Sequence, residues 1–237
     1  FYPAILAQDI FPVLEGIRLG YPLQRSIDVL YYNADWLAEL GYQAPPATPE
    51  EFKAMACAAA TPFSQSMDAV GLGYNFYLDS TRFSSWVIAN GGEVFDPEAQ
   101  QFTYDNPAAT TVLNLVLELI DSGCAAVITD RTENQATFGR GALLFMVDSS
   151  FYIPDVEQTV AENANFEWAI TSLPSAMEDA PSNVFGASLS VTATTPETQL
   201  ASWLFIKHYT SPEIQARWSQ ATHYLPVRQS AADTMDT

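Results

Sequence analysis

The chain has few basic residues. Its 237 residues include nine Lys and Arg against 28 Asp and Glu, which gives a formal net charge of −19. Phosphate backbones and anionic membrane surfaces repel such a chain, so we expect no nucleic-acid partner. Apolar residues make up 48% of the sequence, and a chain of this length and composition can bury a sizeable core.

Long hydrophobic runs are also missing, and we expect the N-terminal residues not to be a signal peptide. No stretch of 18 apolar residues occurs, and the densest segment, residues 141–147, is too short to span a bilayer. The first ten residues lack the basic region of a signal peptide and include Asp9. This feature of the first residues does not identify the compartment, because a mature or excised chain would look the same.

Cysteine and histidine are scarce. Cys57 and Cys124 fit neither a zinc site nor a redox C-x-x-C pair, so they are two buried thiols or one disulfide. His208 and His223 have no partner at metal-binding spacing, and we therefore expect no metal site.

Motifs for catalysis are incomplete. Residues 186–190 lack the closing glycine of a nucleophile elbow, and residues 71–74 begin a G-x-G-x-x-G pattern that Phe76 breaks, which predicts a turn there. Acidic residues are too abundant for any one carboxylate pair to indicate a glycosidase. Nothing in the sequence requires catalysis.

Prolines mark the starts of several predicted helices. Thr48 and Glu51 flank Pro49 in a capping-box pattern, and Asn106-Pro107 opens a second helix that ends near Gly123. Two more helices are predicted to begin at residues 196 and 212. Apolar runs predict strands at residues 27–32, 142–147, 166–173 and 187–192. This interleaving indicates an α/β fold with a mostly parallel or mixed sheet.

Aromatic residues make up 13% of the chain, and several stand beside turn residues instead of in apolar stripes. Aromatic faces near hydroxyls and carboxylates suit sugars, whose C–H faces stack and whose hydroxyls need polar partners. The alternative is that these rings cover the edges of the core. The residues concerned are Tyr74, Phe76, Tyr77, Phe151, Tyr152 and Tyr224.

Several strings resemble the extracellular solute-binding proteins of ABC sugar importers, the maltose-binding-protein class. The first is Pro22 and Ser26 followed by LYYNADWL at 30–37 and PPATPEEF at 45–52. The others follow in the family's order: NGGEV at 90–94, FGRGALLF at 138–145, GASLSV at 186–191, ASWLFIK at 201–207 and THYLPV at 222–227. His223 stands where the family usually has glycine. Phe185 stands before Gly186, where glycerol-3-phosphate-binding relatives tend to have a second glycine.

The resemblance implies a class II periplasmic-binding-protein fold, in which two α/β lobes close on a ligand between them. The family's first hundred or so residues and its C-terminal helices have no counterpart here, so we expect a piece of a longer protein, mostly the second lobe with parts of the first. Residues 1–29 would be part of lobe one with the first hinge crossing, 30–184 lobe two, 185–225 part of lobe one, and 226–237 the third crossing back toward lobe two. Crossings are expected near 26–30, 184–189 and 226–228.

The implied function is the extracytoplasmic solute-binding component of an ABC importer, which binds a carbohydrate or polyol and presents it to a membrane permease. The alternatives are a protein that binds glycerol-3-phosphate or a glycerophosphodiester, a carbohydrate-active hydrolase, and a passive interaction module. The main hypothesis implies a monomer in the periplasm or at the cell surface, with a lipid anchor if the missing N-terminus carries one. It implies no cofactor and no enzymatic activity. An oxidising setting outside the cytoplasm favours pairing of Cys57 with Cys124.

The resemblance also predicts ligand contacts at the ends of strands. Ser26 would offer a hydroxyl before the first crossing, Gly186 its backbone N–H on the second, and Tyr224 a ring before the third. Ser150 and Phe151 would offer a hydroxyl and a stacking face after the strand at 142–147. The alternative is turn geometry for Ser26 and Gly186, and packing at the core edge for the two rings.

Three further residues, Asp79, Arg82 and Phe83, are predicted to line the lobe-two wall. A phosphorylated ligand would need a cationic clamp, for which Arg25 and Arg82 are the candidates.

Overall fold

The computed structural model describes residues 1–11, 14–63 and 71–235. The helices are α1 (Pro3–Ala7), α2 (Ala34–Glu39), α3 (Pro49–Phe63), α4 (Ser80–Ala89), α5 (Pro107–Asp121), α6 (Arg131–Gly139), α7 (Ile153–Asn163), α8 (Pro196–Tyr209), α9 (Pro212–Thr222) and α10 (Gln229–Ala232). The strands are β1 (Ile10–Phe11), β2 (Ile17–Arg18), β3 (Tyr21–Pro22), β4 (Ser26–Asn33), β5 (Leu72–Tyr77), β6 (Phe95–Asp96), β7 (Gln101–Phe102), β8 (Ala125–Ile128), β9 (Leu143–Ser149), β10 (Trp168–Thr171), β11 (Val184–Phe185) and β12 (Ser188–Leu189).

The chain divides into two compact units. The smaller combines Phe1–Ile27 with Val184–Thr237, and the larger is Asp28–Asn183, so the division falls inside β4. The assignment of residues 30–184 to lobe two, and of the segments on either side to lobe one, stays a prediction.

A mixed sheet forms the centre of the larger unit, as the interleaved sequence pattern predicts. Its strand order is β10-β4-β9-β5-β8. Strand β4 is antiparallel to both β10 and β9, whereas β5 is parallel to both β9 and β8. Strand β9 is buried along its whole length, as expected for a central strand with helices on both faces.

Aromatic side chains fill the core of the larger unit. The Phe52 ring on α3 lies 5.2 Å from the Tyr74 ring, 5.1 Å from the Trp86 ring and 5.1 Å from the Phe145 ring, centroid to centroid. All four side chains are almost completely buried. These contacts join α3 and α4 to the two central parallel strands β5 and β9.

The predicted helix caps are confirmed. The Glu51 amide donates to Thr48 Oγ1 at 3.2 Å, and the Thr48 amide donates to Glu51 Oε2 at 3.2 Å, which completes the capping box of α3. The Asn106 side chain accepts the Ala109 amide at 2.9 Å at the start of α5. Gly123 follows α5 with a φ of +71°, a left-handed conformation that glycine adopts without strain.

Two predictions about local structure were wrong. Residues 71–74 do not form a turn, because β5 begins at Leu72 and pairs with β9 and β8. A Cβ at Gly73 would lie 2.0 Å from the Ala56 carbonyl oxygen, so this glycine lets α3 pack closely on β5. The strand predicted at residues 187–192 is limited to Ser188–Leu189, which pairs with β3.

A disulfide joins Cys57 on α3 to Cys124, which follows the end of α5. Their Cα atoms are 4.6 Å apart, and the residues are separated by 67 positions in sequence. The bond connects α3 to the segment directly after α5, the helix that begins at the Asn106 cap.

Candidate solute-binding residues

The carboxyl ends of three parallel strands lie at one edge of the larger unit's sheet. Strands β5, β8 and β9 end at Tyr77, Ile128 and Ser149. In open α/β sheets, ligands bind outside the carboxyl ends of the strands. The predicted residues Asp79, Arg82 and Phe83 follow β5, and Ser150 and Phe151 follow β9. The fold therefore brings the five predicted residues of this unit to the same edge.

Asp79 and Phe83 are positioned by helix α4. The Asp79 carboxylate is the N-cap of this helix, because its Oδ1 accepts the amides of Thr81 at 3.0 Å and Arg82 at 3.2 Å. The half-buried Phe83 ring lies one turn further along and contacts the Tyr104 ring at 5.8 Å. Both side chains keep part of their surface exposed beside this edge.

Arg82 is buried among carboxylates and is only 5% exposed. Its guanidinium forms an ion pair with Asp148, and it lies 3.6 Å from Asp28 Oδ1 and 3.5 Å from Asp79 Oδ1. Burial alone would lower the pKa of Arg82, but the attraction of Asp28 and Asp148 outweighs it and raises this pKa. These contacts give Arg82 a structural role, and its predicted contact with a ligand stays a prediction.

The segment after β9 is a short 3-10 turn, Ser150–Tyr152. The Ser149 hydroxyl accepts the Phe151 amide at 3.2 Å and so fixes the start of this turn. Ser150 is 4% exposed, so it is almost completely shielded from solvent. The half-buried Phe151 ring meets the Tyr152 ring edge-on at 5.1 Å.

Arg131 occupies the same edge, and sequence reasoning did not select it. It is the first residue of α6, directly after the Asp130 cap. Its Cζ lies 5.5 Å from the centre of the Tyr77 ring and 5.1 Å from that of the Tyr152 ring, and its Nη1 donates to the Tyr152 hydroxyl at 2.7 Å. One third of its side chain is exposed. The available signal was an arginine three residues after the end of a short strand-like apolar run, Ala125–Ile128.

The three predicted residues of the smaller unit lie around one segment, residues 24–26. Ser26 pairs with Phe185 in the β4–β11 ladder, directly before Gly186. A Cβ at Gly186, whose φ is +153°, would lie 2.3 Å from the Gln24 carbonyl oxygen. The Leu225 amide, next to Tyr224, donates to the Arg25 carbonyl at 2.7 Å. Ser26 is buried, Tyr224 is half-buried and Gly186 is exposed.

Arg25 cannot serve as the cationic clamp with its present partners. It is 2% exposed, and its five N–H donors are all engaged. Nε donates to Gln8 at 2.7 Å, Nη1 to the carbonyls of Gln24 and Ala187 at 2.9 Å each, and Nη2 to Ser188 at 3.0 Å and Asp9 at 3.4 Å. This side chain holds the smaller unit together.

Neither a metal site nor a membrane span is found in residues 1–11, 14–63 and 71–235. This part of the chain contains no cluster of three or more His, Cys, Asp or Glu side chains that could hold a metal ion. Nor does any helix there have the length and apolar character needed to cross a membrane.

The sequence profile of bacterial extracellular solute-binding proteins matches residues 5–237. The chain belongs to this family. Members of the bacterial extracellular solute-binding family are binding proteins found outside the cytoplasm, and the resemblance seen in the sequence motifs is therefore confirmed.

Two curated relatives show which members of the solute-binding family this chain is similar to. The sn-glycerol-3-phosphate-binding periplasmic protein UgpB of Yersinia enterocolitica is 27% identical over 225 residues, which cover 91% of this chain and 50% of the relative. UgpB of Escherichia coli K12 is 26% identical over 227 residues, which cover 92% of this chain and 51% of that relative. The chain spans about half the length of these relatives, which are named as binding proteins and not as enzymes.

Solved structures confirm the fold of this solute-binding family member. UgpB from Mycobacterium tuberculosis in complex with glycerophosphocholine superposes with a TM-score of 0.81 at 26% identity, covering 98% of this chain and 57% of that one. Maltose-bound MalE3 of Thermotoga maritima superposes with a TM-score of 0.75 at 20% identity, and the match covers 98% of this chain and 59% of that one. The predicted class II periplasmic-binding-protein fold is thus confirmed.

Proposed function

We propose that the protein is the solute-binding component of an ABC importer and that it captures a carbohydrate or polyol outside the cytoplasm. The observation that carries this proposal is the edge of the larger unit's sheet, combined with the family match over residues 5–237. At this edge aromatic rings, a capping carboxylate and an arginine follow the carboxyl ends of three parallel strands. A membrane permease is the proposed partner that receives the solute.

The chemistry of these residues fits a polyhydroxylated solute. Phe151 offers an aromatic face, on which the C–H groups of a sugar or polyol can stack, while Asp79 offers an acceptor for hydroxyl groups. In the smaller unit, Tyr224 offers a second half-buried ring and Gly186 an exposed backbone. We propose that Ser150, Arg82 and Phe83 support or line the binding surface of the larger unit, and that Ser26 contributes to the binding residues of the smaller unit.

Calorimetric titration of the full-length protein tests these roles. Replacing either ring, in Phe151→Ala or Tyr224→Ala, is expected to cost on the order of 1–3 kcal/mol of binding free energy from lost burial. Phe102 is a matched control because it is an aromatic residue that is 72% exposed on the surface strand β7. Phe102→Ala should leave the affinity unchanged. Unchanged affinity in both ring variants, with the fold intact, would contradict the proposed binding residues.

The second candidate is a protein that binds glycerol-3-phosphate or a glycerophosphodiester. It is favoured by the similarity to UgpB of Yersinia enterocolitica, whose name states that it binds sn-glycerol-3-phosphate. Thermal-shift measurements with sugars, polyols and phosphorylated glycerols distinguish the two candidates, since only the bound class raises Tm. A carbohydrate-active hydrolase would instead release reducing ends from oligosaccharides, and we expect no such release.

A further inference from the structure

Arg131 is held in a fixed orientation by two tyrosines. Its Cζ lies 5.5 Å from the centre of the Tyr77 ring and 5.1 Å from the centre of the Tyr152 ring, and Nη1 donates to the Tyr152 hydroxyl at 2.7 Å. Aromatic contacts of this kind favour a guanidinium over an ammonium, because the planar group can lie against rings and still donate along its edge. Tyr77 ends β5 and Tyr152 follows β9, so the two strands fix the position of the charge.

The carboxylates near Arg131 are engaged with other partners. Asp148 pairs with Arg82 and accepts from Gln135 Nε2 at 2.9 Å, whereas Arg131 Nε lies 3.9 Å away from it. Asp130 Oδ1 caps α6 by accepting the Glu133 amide at 3.1 Å. The Glu133 carboxylate accepts from Arg140 Nη2 at 3.0 Å.

These contacts leave much of the donor capacity of Arg131 unused. Among the described residues, its buried Nε–H has no hydrogen-bond acceptor, while a third of the side chain is exposed. Arg82, in contrast, is surrounded by carboxylates and buried, and Arg25 has engaged every donor. Arg131 is therefore the arginine at this edge whose charge is both accessible and only weakly compensated.

We propose that Arg131 bonds the phosphate oxygens of the solute and so selects a phosphorylated small polyol over a neutral saccharide. A guanidinium binds phosphate through two parallel N–H···O bonds, and such charge-assisted bonds are about twice as strong as neutral ones. The polyol part would then stack beside the rings that follow β5 and β9. This inference rests on the proposed capture of a solute and favours the second candidate, the phosphorylated glycerols. It assigns to Arg131 the role of cationic clamp that the sequence analysis had assigned to Arg25 and Arg82.

The experiment is a calorimetric titration of the full-length protein with sn-glycerol-3-phosphate, glycerol and maltose as separate probes. Arg131→Gln is expected to weaken the binding of glycerol-3-phosphate at least 20-fold. Arg131→Lys should weaken it about 5-fold, because lysine keeps the charge but loses the planar fork. Arg140→Gln is the matched control, since Arg140 lies just past the other end of α6 with about half its side chain exposed. It should bind like the wild type, and unchanged circular dichroism would show that each variant is folded.

The outcomes separate this inference from the function on which it rests. Glycerol-3-phosphate binding that is lost in Arg131→Gln and kept in Arg140→Gln supports both the role of Arg131 and the capture of a solute. Wild-type protein that binds maltose but not glycerol-3-phosphate overturns the role of Arg131 and leaves solute capture standing. The role of Arg131 is likewise overturned if Arg131→Gln binds glycerol-3-phosphate within 2-fold of the wild type. Wild-type protein that binds none of the three probes, nor any sugar, polyol or phosphorylated glycerol in the thermal-shift panel, overturns both.

Discussion

Arg82 on α4 forms a buried ion pair with Asp148 near the end of β9. The pair joins the helix that follows β5 to the neighbouring strand, at the edge where the candidate solute-binding residues lie. Gln135 on α6 also donates to Asp148, at 2.9 Å, so a third element is attached to the same carboxylate. The shape of this edge thus depends on one buried arginine and its acidic partners.

Removal of the buried charge tests this dependence. Arg82→Met would leave Asp28 and Asp148 buried without their cation, and we expect the free energy of unfolding to fall by about 3–5 kcal/mol in urea titrations. Lys53→Met is the control, because the pair between Lys53 and Glu118 is exposed and should contribute less than about 1 kcal/mol. Similar losses in the free energy of unfolding for the two variants would contradict the structural role of Arg82.

The disulfide should contribute strongly to stability. Replacing both cysteines, in a Cys57→Ser and Cys124→Ser double variant, opens a loop closed across 67 positions, and we expect a loss of about 4 kcal/mol in the free energy of unfolding. A reducing agent should destabilise the wild type by a similar amount and leave the double variant unchanged. Two free thiols titrated in the unreduced, denatured wild type would contradict the pairing.

Alkaline pH should destabilise the larger unit through two buried tyrosines. Burial raises the pKa of Tyr31, whose hydroxyl donates to the Ser149 carbonyl at 2.7 Å, and burial likewise raises the pKa of Tyr74. Above pH about 10, the unfolded chain releases these protons and the folded chain keeps them. Each tyrosine then lowers the free energy of unfolding by about 1.4 kcal/mol for every further pH unit. Below pH about 10, the full contribution of each tyrosine to stability is present.

The measurement is urea unfolding at several values between pH 9 and pH 11. Tyr31→Phe should be less stable than the wild type at neutral pH, because it lacks the bond to Ser149, and its stability should fall less steeply with rising pH. Identical slopes for the two proteins would show that Tyr31 does not hold its proton in the folded state.

The residue after α9 adopts a conformation that favours glycine. His223 has a φ of +57° and a ψ of +15°, and its amide donates to the Ser219 carbonyl at 2.8 Å. His223→Gly should raise the free energy of unfolding by about 0.5–1 kcal/mol, since the relief of strain exceeds the entropy cost of glycine. Asn165, with a φ of +50°, is the control, because asparagine tolerates this conformation and Asn165→Gly should gain less. A destabilised His223→Gly would contradict this explanation.

Local features of the fold could be predicted from the sequence because their causes are local. The caps at Thr48 and Asn106 involve residues within a few positions, and the first five residues of β9 are a continuous apolar run. The error at residues 71–74 has a distant cause: Gly73 packs against Ala56, and no pattern near Gly73 shows this contact.

The candidate site likewise contains residues that the sequence could indicate and residues whose environment depends on distant parts of the chain. Residues at the ends of strands could be selected from the family resemblance, as Phe151 was, and its contact with a ligand stays a prediction. The burial of Arg82 depends on Asp28 and Asp148, which lie 54 and 66 positions away in sequence. Arg131 was missed because its importance comes from Tyr77 and Tyr152, which only the folded sheet brings to it.

The central claim is that the protein binds a solute, and calorimetric titration of the full-length protein with sugars, polyols and phosphorylated glycerols tests it most directly. We predict saturable binding of one molecule per chain by one of these classes, with no chemical change to the solute. Phe151→Ala and Tyr224→Ala should weaken that binding, whereas Phe102→Ala should not. Absence of binding across the panel, or release of reducing ends from an oligosaccharide, would contradict the claim.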